Sequence, residues 1–463
     1  MDIQALSNAD RNTIFHASTD LKAHAEGSSP NTIITGGEGA FIRNARGETL
    51  LDAFAGLYCV NIGYGRKEIG EAIHRQADQL AYYHTYVGHS NEPLIELSDR
   101  LIKNAPEGMS KVYYGMSGSD ANETNIKIAW YYHNVKGAPQ KRKIISRQRG
   151  YHGSGIVTGS MTGLPVFHNH FNLPLDFILH TTTPHFYREA TEGMTEREFS
   201  QKCAADLAAL IEREGADTIA AFIAEPVMGT GGLIPPPEGY WDAIQEVLRQ
   251  HDILFIADEV VTAFGRIGSY FGSDVYGIKP DIITVAKGLT SAYLPLSGSI
   301  VGERVWDVLE KGCEQFGPFG HGWTYSGHAL GAAAAMANLD ILENEKVIEN
   351  VQQVGPTLLA KLRENFADHP IVGEIRGVGM LAAIEFAPDK HPGSRFDPAL
   401  KVGARASAAA LANKMIARAM PHGDILGFAP PLIIGNDIVD LIVERTGAAL
   451  DTVAAELRAE GAI

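Results

Sequence analysis

The chain has 463 residues and a mass of 49.9 kDa, and its 39 Lys and Arg residues against 55 Asp and Glu residues give a formal net charge of −16. This length exceeds what one compact core usually fills, so we expect two domains, or one large domain with an appendage. The acidic balance argues against nucleic acid as a partner, because proteins that bind the phosphate backbone concentrate positive charge.

The first 60 residues are rich in turns and contain one predicted hairpin. Its strands are Ala40–Arg43 and Thr49–Phe54, on either side of the turn at Asn44–Gly47. We expect residues 1–60 to form an N-terminal segment that joins the smaller of the two domains.

From about Lys111 to Val301, short β-branched runs alternate with amphipathic segments of helical length, which is typical of βαβ units and a mostly parallel sheet. The predicted strands are Lys111–Gly115, Lys143–Ser146, Ile219–Ala224, Ile253–Ala257, Ile282–Ala286 and Gly298–Val301. The predicted helices between them are Asn122–Val135, Phe199–Glu214 and Gly239–His251. The pattern predicts an α/β fold with a large domain over residues 61–330.

An Ala-rich helix is predicted to begin at about Gly331. Two short strands, Ile371–Ile375 and Ala382–Phe386, and a second Ala-rich helix near Ala404–Ala417 follow it. Residues 331–463 therefore read as a separate, smaller α/β domain.

Polar residues directly follow several of the predicted strands. They are Ser117-Gly118-Ser119 after the first strand, Glu225 after the third, Asp258 after the fourth and Lys287 after the fifth. In open α/β sheets a ligand binds beyond the carboxyl ends of the strands. Each residue alone is explained as well by a helix cap or a solvated side chain. Because all of them follow strands of the same predicted sheet, we expect them to meet in one polar crevice.

The residue types in this crevice indicate a particular chemistry. The turn at 117–119 precedes a predicted helix, whose free N–H groups can cradle a phosphate, although a simple serine cap is the alternative. No Walker lysine motif or dinucleotide fingerprint follows a strand, which argues against nucleoside triphosphates and NAD. A phosphate cradle, an acid and a lysine are what pyridoxal 5′-phosphate (PLP) requires. The lysine forms a Schiff base with its aldehyde, and the acid keeps its pyridine nitrogen protonated.

Together the motifs resemble the class III pyridoxal-phosphate aminotransferases, specifically the ω-transaminase group, over nearly the whole chain. The matching segments are Ser117–Glu123, Tyr151-His152-Gly153, Glu225-Pro226, Ala257–Val260, Ala286-Lys287-Gly288 and Thr324–His328. The resemblance implies fold type I of the PLP-dependent transferases, with a mostly parallel central sheet in the large domain, and PLP as the cofactor.

The resemblance also implies roles for residues at the cofactor. Lys287 and Asp258 are the expected catalytic residues, as the Schiff-base lysine that moves the proton and as the partner of the pyridine nitrogen. The other expected cofactor contacts are Ser117, Gly118, Ser119, Tyr151, His152, Glu225, Val260 and Thr324. Tyr151 and Val260 would cover the two faces of the ring. Thr324 would reach the phosphate in a second subunit, which implies a homodimer with the site at its interface.

The expected substrate contacts are Leu57, Tyr58, Tyr86, Tyr151, Thr230, Trp323 and Arg418. An aromatic wall from Leu57-Tyr58 and Tyr86, with Trp323 from the partner chain, suits an amine with an apolar stem, although interface packing is the alternative. Arg418, upstream of Pro430-Pro431, would bind the carboxylate of a keto acid; the alternative is an exposed arginine at a helix end.

The sequence therefore predicts a transaminase that moves an amino group from a terminal amine or ω-amino acid to a keto acid, for which we expect pyruvate. An aminomutase or racemase on the same fold, and a PLP-binding protein without turnover, are the alternatives. No metal site is expected, because His168 and His170 lack further ligands at useful spacing. The absence of paired cysteines, of a signal segment and of a long apolar run predicts a cytoplasmic protein without a membrane partner.

Overall fold

The computed structural model describes residues 2–29 and 31–463. The strands are β1 Ile34–Glu38, β2 Phe41–Asn44, β3 Thr49–Asp52, β4 Met109–Gly115, β5 Lys143–Arg147, β6 Ile178–Thr181, β7 Ile219–Ala224, β8 Leu254–Asp258, β9 Ile282–Val285, β10 Ser297–Gly302, β11 Val372–Val378, β12 Leu381–Phe386, β13 Met415–Ile416, β14 Arg418–Ala419 and β15 Ile425–Phe428. The helices are α1 Ile3–Thr13, α2 Leu21–Glu26, α3 Ala55–Tyr58, α4 Lys67–Leu80, α5 Glu92–Asn104, α6 Gly118–Val135, α7 Ile156–Met161, α8 Phe186–Glu189, α9 Glu196–Glu214, α10 Tyr240–Gln250, α11 Gly272–Tyr276, α12 Glu303–Phe316, α13 Ala329–Asn344, α14 Val347–Phe366, α15 Val402–Ala412 and α16 Asn436–Ala459.

A seven-stranded sheet in the order β4-β10-β9-β8-β7-β5-β6 forms the centre of the molecule. Strands β6, β5, β7, β8 and β9 run parallel, and β10 is antiparallel to both of its neighbours. All six strands predicted between Lys111 and Val301 lie in this sheet. The sequence pattern misses only its edge strand β6, Ile-Leu-His-Thr, whose short run lacks a stretch of β-branched residues.

Helices cover both faces of this sheet, as a parallel sheet requires. Alternate strand residues such as Ile144, Ile223 and Ile256 pack on the side of α6 and α12. Their neighbours, such as Ile145 and Phe222, pack on the side of α9 and α10. Within the described ranges, no helix combines the length and the apolar character needed to span a membrane.

Of two smaller sheets, the first brings the two ends of the chain together. One has the order β1-β2-β3-β13, in which β13 pairs in parallel with β3, and the other has the order β11-β12-β15-β14. The N-terminal hairpin thus pairs with the C-terminal part of the chain. This pairing is compatible with the predicted segments 1–60, 61–330 and 331–463, whose boundaries stay a prediction.

Two predicted helix boundaries are wrong, the first for a local reason and the second because of pairing with other strands. Helix α6 begins at Gly118 and not at Asn122, because Ser117 and Asp120 form a capping box ahead of the expected start. Helix α15 ends at Ala412 and not at Ala417, because the following residues pair with β3 and β15. Arg418 therefore lies on strand β14, half-buried, and not at a helix end.

Candidate active site

A cavity of about 340 Å³ lies where the carboxyl ends of β7, β8 and β9 meet the start of α6. Because these strands run parallel, residues that follow them along the sequence converge at one edge of the sheet. Of the predicted site residues, those that line the cavity are Ser117, Gly118, Ser119, Tyr151, His152, Glu225, Thr230, Asp258, Val260 and Lys287.

The turn at the start of α6 leaves backbone donors facing the cavity. The Ser117 hydroxyl accepts the backbone N–H of Asp120 at 3.2 Å, as the alternative cap interpretation expects. The backbone N–H groups of Gly118 and Ser119, in the first turn, have no partner within the helix. The first turn of this helix therefore offers two N–H donors and the positive end of its dipole to an anion.

Gly118 packs closely against Val260, another residue that lines the cavity. A Cβ at this position would lie 2.9 Å from Val260 Cγ2. We expect Gly118→Ala to weaken PLP binding by about tenfold, which corresponds to ~1.4 kcal/mol for displacing the valine. Equilibrium dialysis with PLP measures this. Gly70→Ala is the control, since a Cβ at Gly70 meets only open space. Equal PLP affinity of the two variants would contradict a close approach at Gly118.

The Asp258 carboxyl group is buried and held from three sides. Its Oδ2 accepts Asn122 Nδ2 at 2.8 Å and contacts His152 Nδ1 at 2.8 Å, while Oδ1 accepts the Val260 N–H at 3.2 Å. Asn122 is fixed in turn by the Thr284 hydroxyl, which donates to Asn122 Oδ1 at 2.7 Å. His152 thus contacts Asp258 directly. Asn122 is not among the predicted site residues. Its position one turn after Ser117–Ser119, on the side of α6 that faces the sheet, is a signal by which the sequence could have indicated it.

Lys287 follows β9 in a tight turn with φ of +42°, in the left-handed region. Such a conformation persists only where surrounding contacts determine it, and it is often found at functional sites. Here Asn338 Nδ2 donates to the carbonyl oxygens of Gly288 and Leu289 at 2.9 and 3.0 Å. The Lys287 Nζ lies 6.0 Å from the centroid of the Tyr58 ring. The amine is thus carried by a fixed backbone into the cavity.

Glu225 follows β7 and keeps one carboxyl oxygen without a partner. Its Oε1 accepts the Gly229 N–H at 3.1 Å, whereas the buried Oε2 has no hydrogen bond and lies 3.7 Å from Arg147 Nη2. Burial raises the pKa of Glu225, against an opposing effect of His152 and Arg147. A side chain with this environment can exchange a hydrogen bond with a polar group of a ligand.

The predicted substrate residues fall into two places. Thr230 lines the cavity, and Tyr58 is buried within reach of Lys287, whereas Leu57 is 49% exposed and does not line the cavity. Tyr86, Trp323 and Thr324 lie elsewhere: a Cβ on Gly322 would meet the Tyr86 ring at 2.6 Å. One chain therefore places Tyr86 beside the segment that carries Trp323, and its role as a substrate contact stays a prediction.

Two aromatic rings, those of Phe54 and Tyr58, lie between Arg418 and Lys287. Its guanidinium carbon lies 5.6 Å from the Phe54 ring centroid, and the Phe54 and Tyr58 rings are 4.5 Å apart. Burial raises the pKa of the Tyr58 hydroxyl and the nearby Arg418 lowers it. Arg418, Phe54, Tyr58 and Lys287 thus form a continuous series of contacts.

The cavity fits PLP. It combines the glycine-lined anion cradle, the oriented Asp258, the unpartnered oxygen of Glu225 and the amine of Lys287. PLP, when bound, supplies an electron-accepting ring. Asp258 would hold a proton on the pyridine nitrogen, Lys287 Nζ would take and return a proton at the substrate carbon, and Tyr151 would shield the ring from water.

Comparison with known proteins identifies the family. The family model for class-III aminotransferases matches residues 23–450. A diaminobutyrate–2-oxoglutarate transaminase of Halomonas elongata is 61% identical over 99% of this chain and 98% of its own length. A mitochondrial gamma aminobutyrate transaminase of Solanum lycopersicum is 42% identical over 90% of this chain and 81% of its own length.

Solved structures agree with this assignment. The crystal structure of an omega transaminase from Pseudomonas jessenii in complex with PMP has a TM-score of 0.94 and 41% identity, over 97% of this chain and 98% of that one. A transaminase from directed evolution by ancestral reconstruction has a TM-score of 0.97 and 65% identity, over 99% and 100% of the two chains. The predicted fold type I is confirmed. The chain belongs to the class III aminotransferases and is a PLP-dependent enzyme.

Proposed function

We propose that this aminotransferase takes its amino group from a terminal amine or ω-amino acid and passes it to pyruvate. Pyruvate is chosen as the acceptor because of the position of Arg418, whose guanidinium group stacks on Phe54 next to Tyr58. A keto acid with one carboxylate needs one such cation, and a dicarboxylate needs a second.

Two other arginines near the site are engaged by neighbouring oxygens. Arg147 Nη2 donates to the Glu225 carbonyl at 2.6 Å. Arg266 donates to the Pro430 carbonyl and to Asn61 Oδ1. Both guanidinium groups are buried, so turning them toward a ligand would cost these hydrogen bonds. Arg418 is the more available carboxylate partner, which supports a monocarboxylate acceptor.

The relatives favour a second candidate, with 2-oxoglutarate as acceptor. The Halomonas elongata relative is named for diaminobutyrate and 2-oxoglutarate, and its identity of 61% extends over almost the full chain. Diaminobutyrate carries a terminal amine, as the proposed donors do, so the two candidates differ chiefly in the acceptor.

A half-reaction experiment separates these candidates. The PLP-loaded enzyme is incubated with diaminobutyrate, 4-aminobutyrate or an arylalkylamine, freed of donor, and then given pyruvate or 2-oxoglutarate. Alanine as the faster product supports our proposal, and glutamate as the faster product supports the second candidate. If amines are rearranged or racemised without consumption of either keto acid, both transaminase proposals fail in favour of the aminomutase or racemase.

Arg418→Ala tests the acceptor contact. We expect KM for the keto acid to rise by about 10- to 100-fold, equivalent to ~1.5–3 kcal/mol for a charge-assisted hydrogen bond, with kcat little changed. Arg405→Ala is the control, because it removes the same charge from a surface pair with Glu456 and Glu460. An unchanged KM for the keto acid in Arg418→Ala would reject the assignment.

We also propose a homodimer in the cytoplasm. Thr324 is exposed and lies outside the cavity lining of its own chain, which suits a residue that serves a second subunit. Cys59, Cys203 and Cys313 are free thiols, as in a reducing compartment. Measuring mass and activity together tests the dimer, since a fully active monomer would exclude it.

A further inference from the structure

Residues 55–58, which form α3, are a left-handed helical turn. The φ angles of Ala55, Gly56, Leu57 and Tyr58 are +46°, +53°, +80° and +67°. The Tyr58 and Cys59 N–H groups donate to carbonyls four residues earlier at 2.9 and 2.8 Å. L-amino acids avoid consecutive left-handed residues, because Cβ crowds the following carbonyl oxygen. Three of these residues are not glycine, so other contacts must hold the turn.

Asp52, the last residue of β3, supplies those contacts. Its Oδ1 accepts the Phe54 N–H at 3.0 Å, and its Oδ2 accepts the Gly56 N–H at 2.7 Å and the Tyr64 hydroxyl at 2.5 Å. Asp52 is 2% exposed. One buried carboxyl group thus satisfies two backbone donors at the start of the turn and is itself fixed by Tyr64.

The turn lies between Lys287, whose amine faces the cavity, and Arg418, the proposed carboxylate-binding residue. It carries Tyr58, 6.0 Å from Lys287 Nζ, and its first flanking residue, Phe54, stacks under Arg418. The pairing of Asp52 with Ile416 in strand β13 connects the same point to the segment that carries Arg418. A small rotation of the turn would therefore change both distances together.

We propose that Asp52 is a positioning residue: it holds the left-handed turn at 55–58, and this turn sets the position of Tyr58 between Lys287 and Arg418. The inference rests on the proposed function, because it assigns to this turn the fit of the donor amine and of the keto acid. Backbone strain that is held by a buried acid beside an active site is consistent with such a role.

Asp52→Asn tests the clamp. The amide can accept at one oxygen only, so its NH₂ group faces a backbone donor and the turn loses support. We expect about a tenfold rise in KM for donor and acceptor, with the visible absorbance of bound PLP retained. Hydrogen exchange of a peptide spanning residues 54–60 should accelerate by about the same factor. Asp20→Asn is the control, because Asp20 accepts a backbone N–H at the start of α2, on the surface.

Rescue distinguishes a clamp on a strained turn from a general structural role. Leu57→Gly and Leu57→Ala both remove the leucine side chain beyond Cβ, but only glycine also lacks the Cβ that disfavours the left-handed region. In the Asp52→Asn background we expect Leu57→Gly to restore slow exchange of this peptide, and Leu57→Ala not to restore it. Equal effects of the two, or unchanged exchange and KM in Asp52→Asn, would overturn the inference. Because exchange is measured without substrate, it still tests the turn if no amine is turned over.

Discussion

Lys287→Ala is expected to lower transamination by about 10⁴-fold, the upper range for loss of a positioned proton-transfer group. The backbone of Lys287 is held at φ of +42°, next to residues fixed by Asn338, and among the described residues no other lysine lines the cavity. Single-turnover measurements with a saturating donor isolate this loss from substrate binding.

A control variant and a rescue by added amines test whether this loss comes from the missing amine of Lys287. Lys279→Ala removes a lysine from an exposed position eight residues earlier and should leave the rate unchanged. Added small primary amines should partly restore the rate of Lys287→Ala in proportion to their basicity, because they replace the missing proton acceptor. A Lys287→Ala enzyme that retains a tenth of the parental rate would remove Lys287 from the catalytic role.

The central sheet and the set of cavity residues could be predicted because both depend on local pattern. A buried parallel strand is a short apolar run, and the rule that ligands bind at carboxyl ends of strands places Glu225, Asp258 and Lys287 together. The confirmed family assignment follows from the same segments. Strand β6 escapes prediction because its four residues, Ile-Leu-His-Thr, are too few and too mixed to form a clear apolar run.

Features that depend on pairing between distant segments could not be predicted. The Ala-rich pattern predicts a helix up to Ala417, but the segment around Arg418 pairs with β3 and β15, and no local pattern signals this pairing. The sequence of residues 55–58 carries no signal for a left-handed turn, because the contacts that hold the turn come from the side chains of Asp52 and Tyr64.

Asp258→Asn is expected to lower the rate of the first half-reaction by about 10²- to 10³-fold, which corresponds to ~3–4 kcal/mol for removing a buried charged partner. The carboxyl group accepts hydrogen bonds from Asn122 and Val260 in the structure. An amide in its place would turn its NH₂ group against one of these donors and would lose the charge that holds a proton on the pyridine nitrogen.

Asn122→Ala separates orientation from charge. It keeps the Asp258 carboxyl group but removes the donor at 2.8 Å, so we expect a loss of about tenfold only. In this variant His152, whose Nδ1 also contacts Asp258, should keep the carboxyl group near its position. If Asp258→Asn loses no more rate than Asn122→Ala, then the orientation of the acid matters and its charge does not. A loss at least tenfold larger in Asp258→Asn makes the charge itself the catalytic contribution of this residue.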